Sequence, residues 1–403
     1  MKWVPLITDE TKKNYITCII DLISHELLAS PSMEPSLIGE NAGVSIYWEY
    51  LFLYSKNPTF RNNSIRLINS SLDAISDKPL SYNLSGGVSG ILWAYSHLVN
   101  SGVLQVKMND VIDDEVNKFL VDSSKFDIQR YNYDYLHGGL STLPYFLERI
   151  ENEFCRKCIY ELVIELEKVA DILPEGISWM EGFHYISDKE KRYNLGLAHG
   201  MPSVIILLSR VLENNIAPEK TTKLLEGLIN WILDKKQEDG VKGYFPTVIP
   251  SEKPYLSRIS WCYGDLGIAI ALLQASLVTK NNSWKEEAIM IAKNAASRRE
   301  PNAGTIDACF CHGAAGNAHF FNRLYHYTEV IEFKEAAIYW YEETLRFYGI
   351  NGHFKFFMRD PDGTNPRWED KSGILEGISG IALTFLAAIS DIEPKWDRCF
   401  LLS

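Results

Sequence analysis

The sequence predicts an all-α fold in which helices form a double ring, apolar ones inside and amphipathic ones outside. Two observations carry this expectation. A glycine-led tetrapeptide that opens an apolar run recurs seven times along the 403 residues. Between the recurrences lie segments whose apolar residues return at helical spacing with charges opposite, as in a helix half exposed to water. Repeats that cannot bury their own apolar faces stack and share a core.

The apolar runs are, in order, NAGVSIYWEYLFLY, SGGVSGILWAYSHLV, HGGLSTLPYFLERI, AHGMPSVIILLSRVL, CYGDLGIAIALLQA, CHGAAGNAHFFNRLY and EGISGIALTFLAAI. Their leading glycines are Gly43, Gly87, Gly139, Gly200, Gly264, Gly313 and Gly377, spaced 44, 52, 61, 64, 49 and 64 residues apart. Such a spacing holds two helices of roughly 10–20 residues with their connections. Each run is apolar nearly all round, as a buried helix is. The amphipathic partners are clearest in CRKCIYELVIELEKVADIL, EKTTKLLEGLINWILDKK, SWKEEAIMIAKNAASRR and EFKEAAIYWYEETLRFY, which follow the third to sixth motifs. Seven inner helices running the same way bring their N-termini to one mouth. Glycine is expected there because crowded backbones exclude a Cβ and often need positive φ. The converging N-termini should also carry free N–H groups and partial positive charge. The motifs at Gly43, Gly87 and Gly377 have no reactive side chain beyond serine and read as turns.

Composition narrows the function. With 46% hydrophobic and 23% charged residues, the chain should be globular and well cored. Its formal net charge of −12 and lack of a basic block exclude a nucleic-acid partner, which needs a basic stripe. The N-terminus MKWVPLITDETKKNYITC has no signal-peptide pattern, and no uncharged run approaches the roughly 20 residues of a membrane span. The protein therefore reads as cytoplasmic, without a transmembrane segment. Its seven cysteines, an odd and scattered set, then read as buried thiols, metal ligands or nucleophiles rather than disulfides.

Cys262 and Cys311 each stand two residues before the leading glycine of adjacent motifs, and His312 follows Cys311. A ring brings both sulfurs to the mouth, and two thiolates with an imidazole suit zinc. Three protein ligands leave a position open, as catalytic zinc sites do. Cys309, in the run CFCH, is a rival for Cys311 but is out of register with Cys262. Cys155 and Cys158 form a CxxC on an outer helix with no second pair beside it, and read as incidental. His199, one residue before Gly200, faces the mouth and can move a proton near neutral pH. Asp134 could orient His199 or serve as a loop aspartate capping a helix, and His137 is a weaker rival base. Arg258 and Tyr263 flank Cys262, and either could stabilise an oxyanion, by charge or by a phenolic hydrogen bond. As alternatives, Arg258 is a surface charge and Tyr263 is packing. His25, His97, His184, His319, His326 and His353 read as structural or surface residues.

The pairing of SWCYGDLG with CHGAAG, with GLAHGMPS upstream, resembles the LanC lanthipeptide cyclases over residues 40 to 385. The resemblance implies a stand-alone cyclase with an α/α-toroid fold of seven inner and seven outer helices. It implies a single domain over 1–403, with a small extension inserted in 100–132 or 171–195 as an option. Implied zinc ligands are Cys262, Cys311 and His312, and implied catalytic residues are His199, Asp134, Arg258 and Tyr263. The implied reaction is intramolecular Michael addition of peptide Cys thiolates to dehydroalanine or dehydrobutyrine, forming (methyl)lanthionine thioether rings. Implied partners are a dehydrated precursor peptide with its leader, and a dehydratase and exporter in a biosynthetic complex. Thr142 and Ser203 depart from the family pattern, standing where glycine is common. Three other readings remain open: a relative that adds glutathione to dehydroamino acids in proteins, a two-carboxylate glycosidase drawing on Asp134, Asp265 and Glu376, and a zinc-containing peptide scaffold without catalysis.

Overall fold

The computed structural model describes residues 2–30, 34–108, 111–181, 192–238, 243–251, 257–358 and 365–403. His184 lies outside the described residues. The helices in chain order are α1 (Glu10–Ala29), α2 (Asn41–Ser55), α3 (Pro58–Asp77), α4 (Val88–Asn100), α5 (Asp114–Ile128), α6 (Leu143–Glu148) and α7 (Glu153–Lys168). They continue as α8 (Met201–Glu213), α9 (Pro218–Asp234), α10 (Asp265–Thr279), α11 (Asn282–Ser297), α12 (Ala314–Thr328), α13 (Ile331–Asn351) and α14 (Ile378–Ile389).

Even-numbered helices form the inner ring and odd-numbered ones the outer ring, an α/α toroid. Each of α2, α6, α8, α10 and α12 packs on the outer helix that follows it. α1 packs on α14, so the N-terminal helix completes the outer ring. The rings differ in their caps, with α9 and α13, capped by Ala217 and Val330, the outer exceptions. Asp9, Asn57, Asp113, Asn152 and Asn281 accept first-turn N–H groups of α1, α3, α5, α7 and α11. No inner helix has a side-chain cap.

At α4, α12 and α14 the first-turn amides go to the preceding loop instead, which corrects the expectation of free N–H groups at those places in the mouth, while among the described residues α8 and α10 have no such bond. Val88, Ser89 and Gly90 donate to the carbonyls of Ser81, Tyr82 and Asn83, each seven residues back. Ala314, Ala315 and Gly316 donate in the same way to Asp307, Ala308 and Cys309. A Cβ on Gly90 or Gly316 would sit 1.9 or 1.8 Å from the carbonyl oxygen of Leu84 or Phe310, six residues back. Close approach of that loop therefore fixes the glycines. Positive φ, also expected, occurs among the seven leading glycines only at Gly264, with φ 110°.

The same geometry corrects the register of two motifs. Gly43 lies inside α2 with its Cβ position 2.1 Å from the Leu37 carbonyl, so it matches Gly90, and the N-cap is Glu40. In the third motif the Gly139 amide donates to Asn132 O as Val88 does to Ser81 O, so Gly138 takes the leading place.

With this register, the residues two before the leading position form a chain around the mouth. Ile38 N–H donates to Ser85 O, and Ser85 N–H to Leu136 O. Ala198 N–H donates to Cys262 O, Cys262 N–H to Cys311 O, and Cys311 N–H to Leu375 O. Side chains span the two remaining junctions: Asp134 with His199 between the third and fourth turns, and Ser372 with Glu40 between the seventh and first.

The axis of the toroid is filled by the C-terminal segment. A 3₁₀-helix, Lys395–Phe400, buries Trp396 and Phe400 among the inner helices. Tyr135 donates to Cys399 O, Trp261 Nε1 to Phe400 O, and Gln274 to Leu401 O.

Among the described residues three short antiparallel pairs decorate the rings: β1 (Asp171–Leu173) with β2 (Gly176–Ser178), β3 (Tyr193–Asn194) with β4 (Val248–Ile249), and β5 (Phe356–Met358) with β6 (Arg367–Glu369). Of the segments considered for an extension, 100–132 contains outer helix α5, and 171–195 contains β1, β2 and β3, with 182–191 outside the described residues.

Candidate metal centre and its surroundings

Main-chain bonds between the fifth and sixth turns set the two register-matched cysteines side by side. The donor atoms of Cys262, Cys311 and His312 lie within 4.8 Å of one another. Bonds of about 2.3 Å to sulfur and 2.0–2.1 Å to nitrogen let such a trio surround one zinc ion. Both cysteines are buried and His312 is half-buried. A hydrogen bond with Cys311 holds the Cys262 thiol well below its ordinary range, while that same contact and burial push Cys311 up. Burial works to lower His312, but hydrogen bonding to Cys262 and the charge of Asp307 raise it on balance.

Cys309 is not a member of this trio. It belongs to a second cluster with Asp307 and His312, its sulfur accepts the His312 N–H, and burial pushes its thiol well up. Asp307, missed in the sequence, holds the loop: its carboxylate accepts Cys309 N–H at 2.9 Å and Phe357 N–H at 3.0 Å. An acid at the start of the DACFCHG run was the available signal.

The residues one before each leading position form the arc that matters. From the third turn to the seventh they are His137, His199, Tyr263, His312 and Glu376. His137 stacks on His199 with ring centroids 5.8 Å apart, and His199 lies 6.1 Å from the Tyr263 ring. His199 Nδ1 is 2.7 Å from Asp134 Oδ2, whose other oxygen accepts the N–H groups of Leu136 and His137. Burial works to lower His199, but Asp134 outweighs it and the imidazole is held above its ordinary value. Burial pushes His137 down, and Ser85 Oγ lies 2.9 Å from its Nδ1. Burial raises Tyr263, so its hydroxyl stays protonated. Arg258 is half-buried, has no hydrogen bond or ion pair among the described residues, and lies near enough to His312 to oppose its protonation. Glu376, on the far side of the cysteines, pairs with Lys371 at 2.8 Å.

Other titratable residues serve the scaffold. Asp265 is buried against Arg298 at 3.2 Å and accepts the Tyr244 and Phe245 amides. It is therefore committed to a loop and gives no support to a pair of hydrolytic carboxylates. Cys155 and Cys158 face the core on α7, pushed up by burial to about 11 and about 12. His97 lies 3.2 Å from Glu49, His319 2.8 Å from Asp397, and His326 stacks on Trp3.

A family model described as lanthionine synthetase C-like protein matches residues 31–401. The nisin biosynthesis protein NisC of Lactococcus lactis subsp. lactis is 27% identical over 222 residues, which are 52% of this chain and 48% of that protein. The chain thus spans about half the length of that curated relative. The solved structure of nisin cyclase superposes with a TM-score of 0.75 over 98% of both chains at 18% identity, a likeness of fold.

Proposed function

Because the chain belongs to the lanthionine synthetase C-like family, we propose that it is a zinc-dependent cyclase acting as one α/α-toroid domain on a dehydrated peptide. A cysteine thiol of the peptide adds to a dehydroalanine or dehydrobutyrine of the same chain. One C–S bond forms, the C=C π bond breaks, and the thiol proton is balanced by a proton delivered to Cα. The mass does not change.

The observation that carries this reading is the convergence of Cys262, Cys311 and His312 beside the His199–Asp134 pair. A zinc ion held by those three side chains would lower the pKa of an incoming thiol and hold it as thiolate. The rest falls to the chain. Asp134 accepts from Nδ1 of His199, which leaves Nε2 to hold or deliver a proton, and the raised pKa suits it to protonating Cα. Arg258 and the Tyr263 hydroxyl are the cation and donor available to the enolate oxygen. Among the described residues no helix is long and apolar enough to cross a membrane. The substrate is a precursor peptide with its leader, and the upstream partner is a dehydratase, with an exporter downstream.

The direct test incubates zinc-loaded protein with a peptide bearing one cysteine and one dehydroalanine. Loss of free thiol at unchanged mass supports cyclisation. A thiol that persists beside stoichiometric zinc overturns it.

A further inference from the structure

Tyr263 is useful to an enolate only if its O–H points at the substrate, and the hydrogen bonds around it decide that direction. Asn194, on β3, is buried and adjoins the Tyr263 hydroxyl. Its Oδ1 accepts the Gly196 N–H at 2.8 Å, which fixes the orientation of the amide. Its Nδ2 must then donate, and it does so twice: to Glu181 Oε1 at 2.5 Å and to Tyr263 Oη at 3.3 Å. The phenolic oxygen is thereby an acceptor, and its own hydrogen is released toward the mouth. Gly196 lets the ring lie there, since a Cβ at that position would meet Tyr263 Cε1 at 2.5 Å and Cys262 O at 2.7 Å. β3 is anchored by its pairing with Val248–Ile249, so the amide is carried on regular structure.

We propose that Asn194 is a positioning residue that sets the hydrogen-bond polarity of Tyr263, with Glu181 holding the amide in the donating orientation. The inference rests on the cyclase reading, in which Tyr263 donates to the enolate oxygen. Reversal of the phenolic O–H would remove that donor from the transition state while leaving substrate contacts intact.

Asn194→Asp is the discriminating substitution. It is isosteric and can still accept from Gly196, but its second oxygen accepts where the amide donated, so Tyr263 turns its hydrogen inward. Asn194→Asp in combination with Glu181→Gln keeps the charge of the pair and still lacks the donor. Both variants, the wild type and Tyr263→Phe are assayed as zinc-loaded full chains on the single-cysteine dehydroalanine peptide. Zinc stoichiometry and peptide binding by fluorescence anisotropy are followed in parallel. The expected result is a kcat loss on the order of 10²-fold for Asn194→Asp, the scale for losing one oxyanion donor. KM, peptide affinity and zinc content should be unchanged, the charge-balanced pair should be equally slow, and Asn194→Asp should add nothing in the Tyr263→Phe background. Wild-type kcat in either Asn194 variant, or an undiminished effect in the Tyr263→Phe background, overturns the inference. A wild type that binds zinc and peptide yet closes no ring overturns the reading beneath it.

Discussion

Asp134 Oδ2 and His199 Nδ1, 2.7 Å apart, join the third and fourth turns of the mouth at a junction that lacks the main-chain hydrogen bond found between their neighbours. One contact thus does two jobs, tying the ring and setting the imidazole. A carboxylate accepts, so Nδ1 carries the hydrogen and Nε2 faces the chemistry.

This arrangement predicts a displaced pH profile for Asp134→Asn. The carboxylate holds His199 above its ordinary pKa against the pull of burial. An amide partner removes that support, so the pKa falls. The acid form is the protonated one, and the alkaline limb of kcat should therefore move to lower pH. NMR titration of the His199 ring and the kcat profile check both halves, and an alkaline limb that stays put removes the proposed role. His199→Ala should keep its zinc and lose turnover.

Metal content separates the two cysteines of CFCH. Cys311→Ala breaks the trio and should abolish stoichiometric zinc, read by elemental analysis. Cys309→Ala should retain it, because that sulfur accepts the His312 amide and faces the core. Its expected cost is about 1 kcal/mol, the scale of a small buried truncation, measured by urea unfolding. Zinc loss in Cys309→Ala with retention in Cys311→Ala would reverse the assignment.

What the sequence made legible was periodicity. Seven glycine motifs announced seven inner helices, and equal register of Cys262 and Cys311 announced that their sulfurs meet. The first motif was misread because Glu40 stands where the other motifs carry glycine, so that only the next small position, Gly43, remained visible. Asn194 and Glu181 were invisible for a different reason. Their importance comes from a hydrogen bond across 69 residues, between Asn194 and Tyr263, and no local pattern encodes such a contact. His137 and Glu376 were named from the sequence as a rival base and a candidate acid, but their common place one before the leading position emerges only when the register is applied to every turn.

Gly264 is the leading glycine whose backbone demands the residue. Its φ of 110° is a region that a side chain rarely adopts, and a Cβ would sit 2.2 Å from Arg258 O. Gly264→Ala should cost about 1–3 kcal/mol for the strained backbone, and more if Arg258 shifts. The residue stands two after the candidate ligand Cys262, so the same substitution should lower zinc affinity. Thermal unfolding with and without zinc distinguishes the two effects. An alanine variant with wild-type stability would mean that the turn relaxes freely.

Asp397 tests whether the C-terminal segment is structural for the site. It is fully buried between Arg323 Nη2 and His319 Nε2, each at 2.8 Å. Burial works to raise its pKa, but Arg323, His319 and Ser403 together outweigh that and hold it below the ordinary value. Its contribution is therefore present above the unfolded carboxylate pKa of about 3.9 and is lost as pH falls below it. Asp397→Ala leaves buried Arg323 with only the longer contact to the half-exposed Glu393 at 3.8 Å, and breaking a buried pair costs up to about 3–5 kcal/mol. The effect should travel, because Phe400 O, three residues on, accepts Trp261 Nε1 beside Cys262. Urea unfolding at neutral pH should show the loss, and zinc affinity should fall with it. Asp397→Asn, which keeps an acceptor without the charge, should lie between. If Asp397→Ala unfolds like the wild type, the axial segment does not support the metal centre, and Trp261 must be held by its inner-helix neighbours alone.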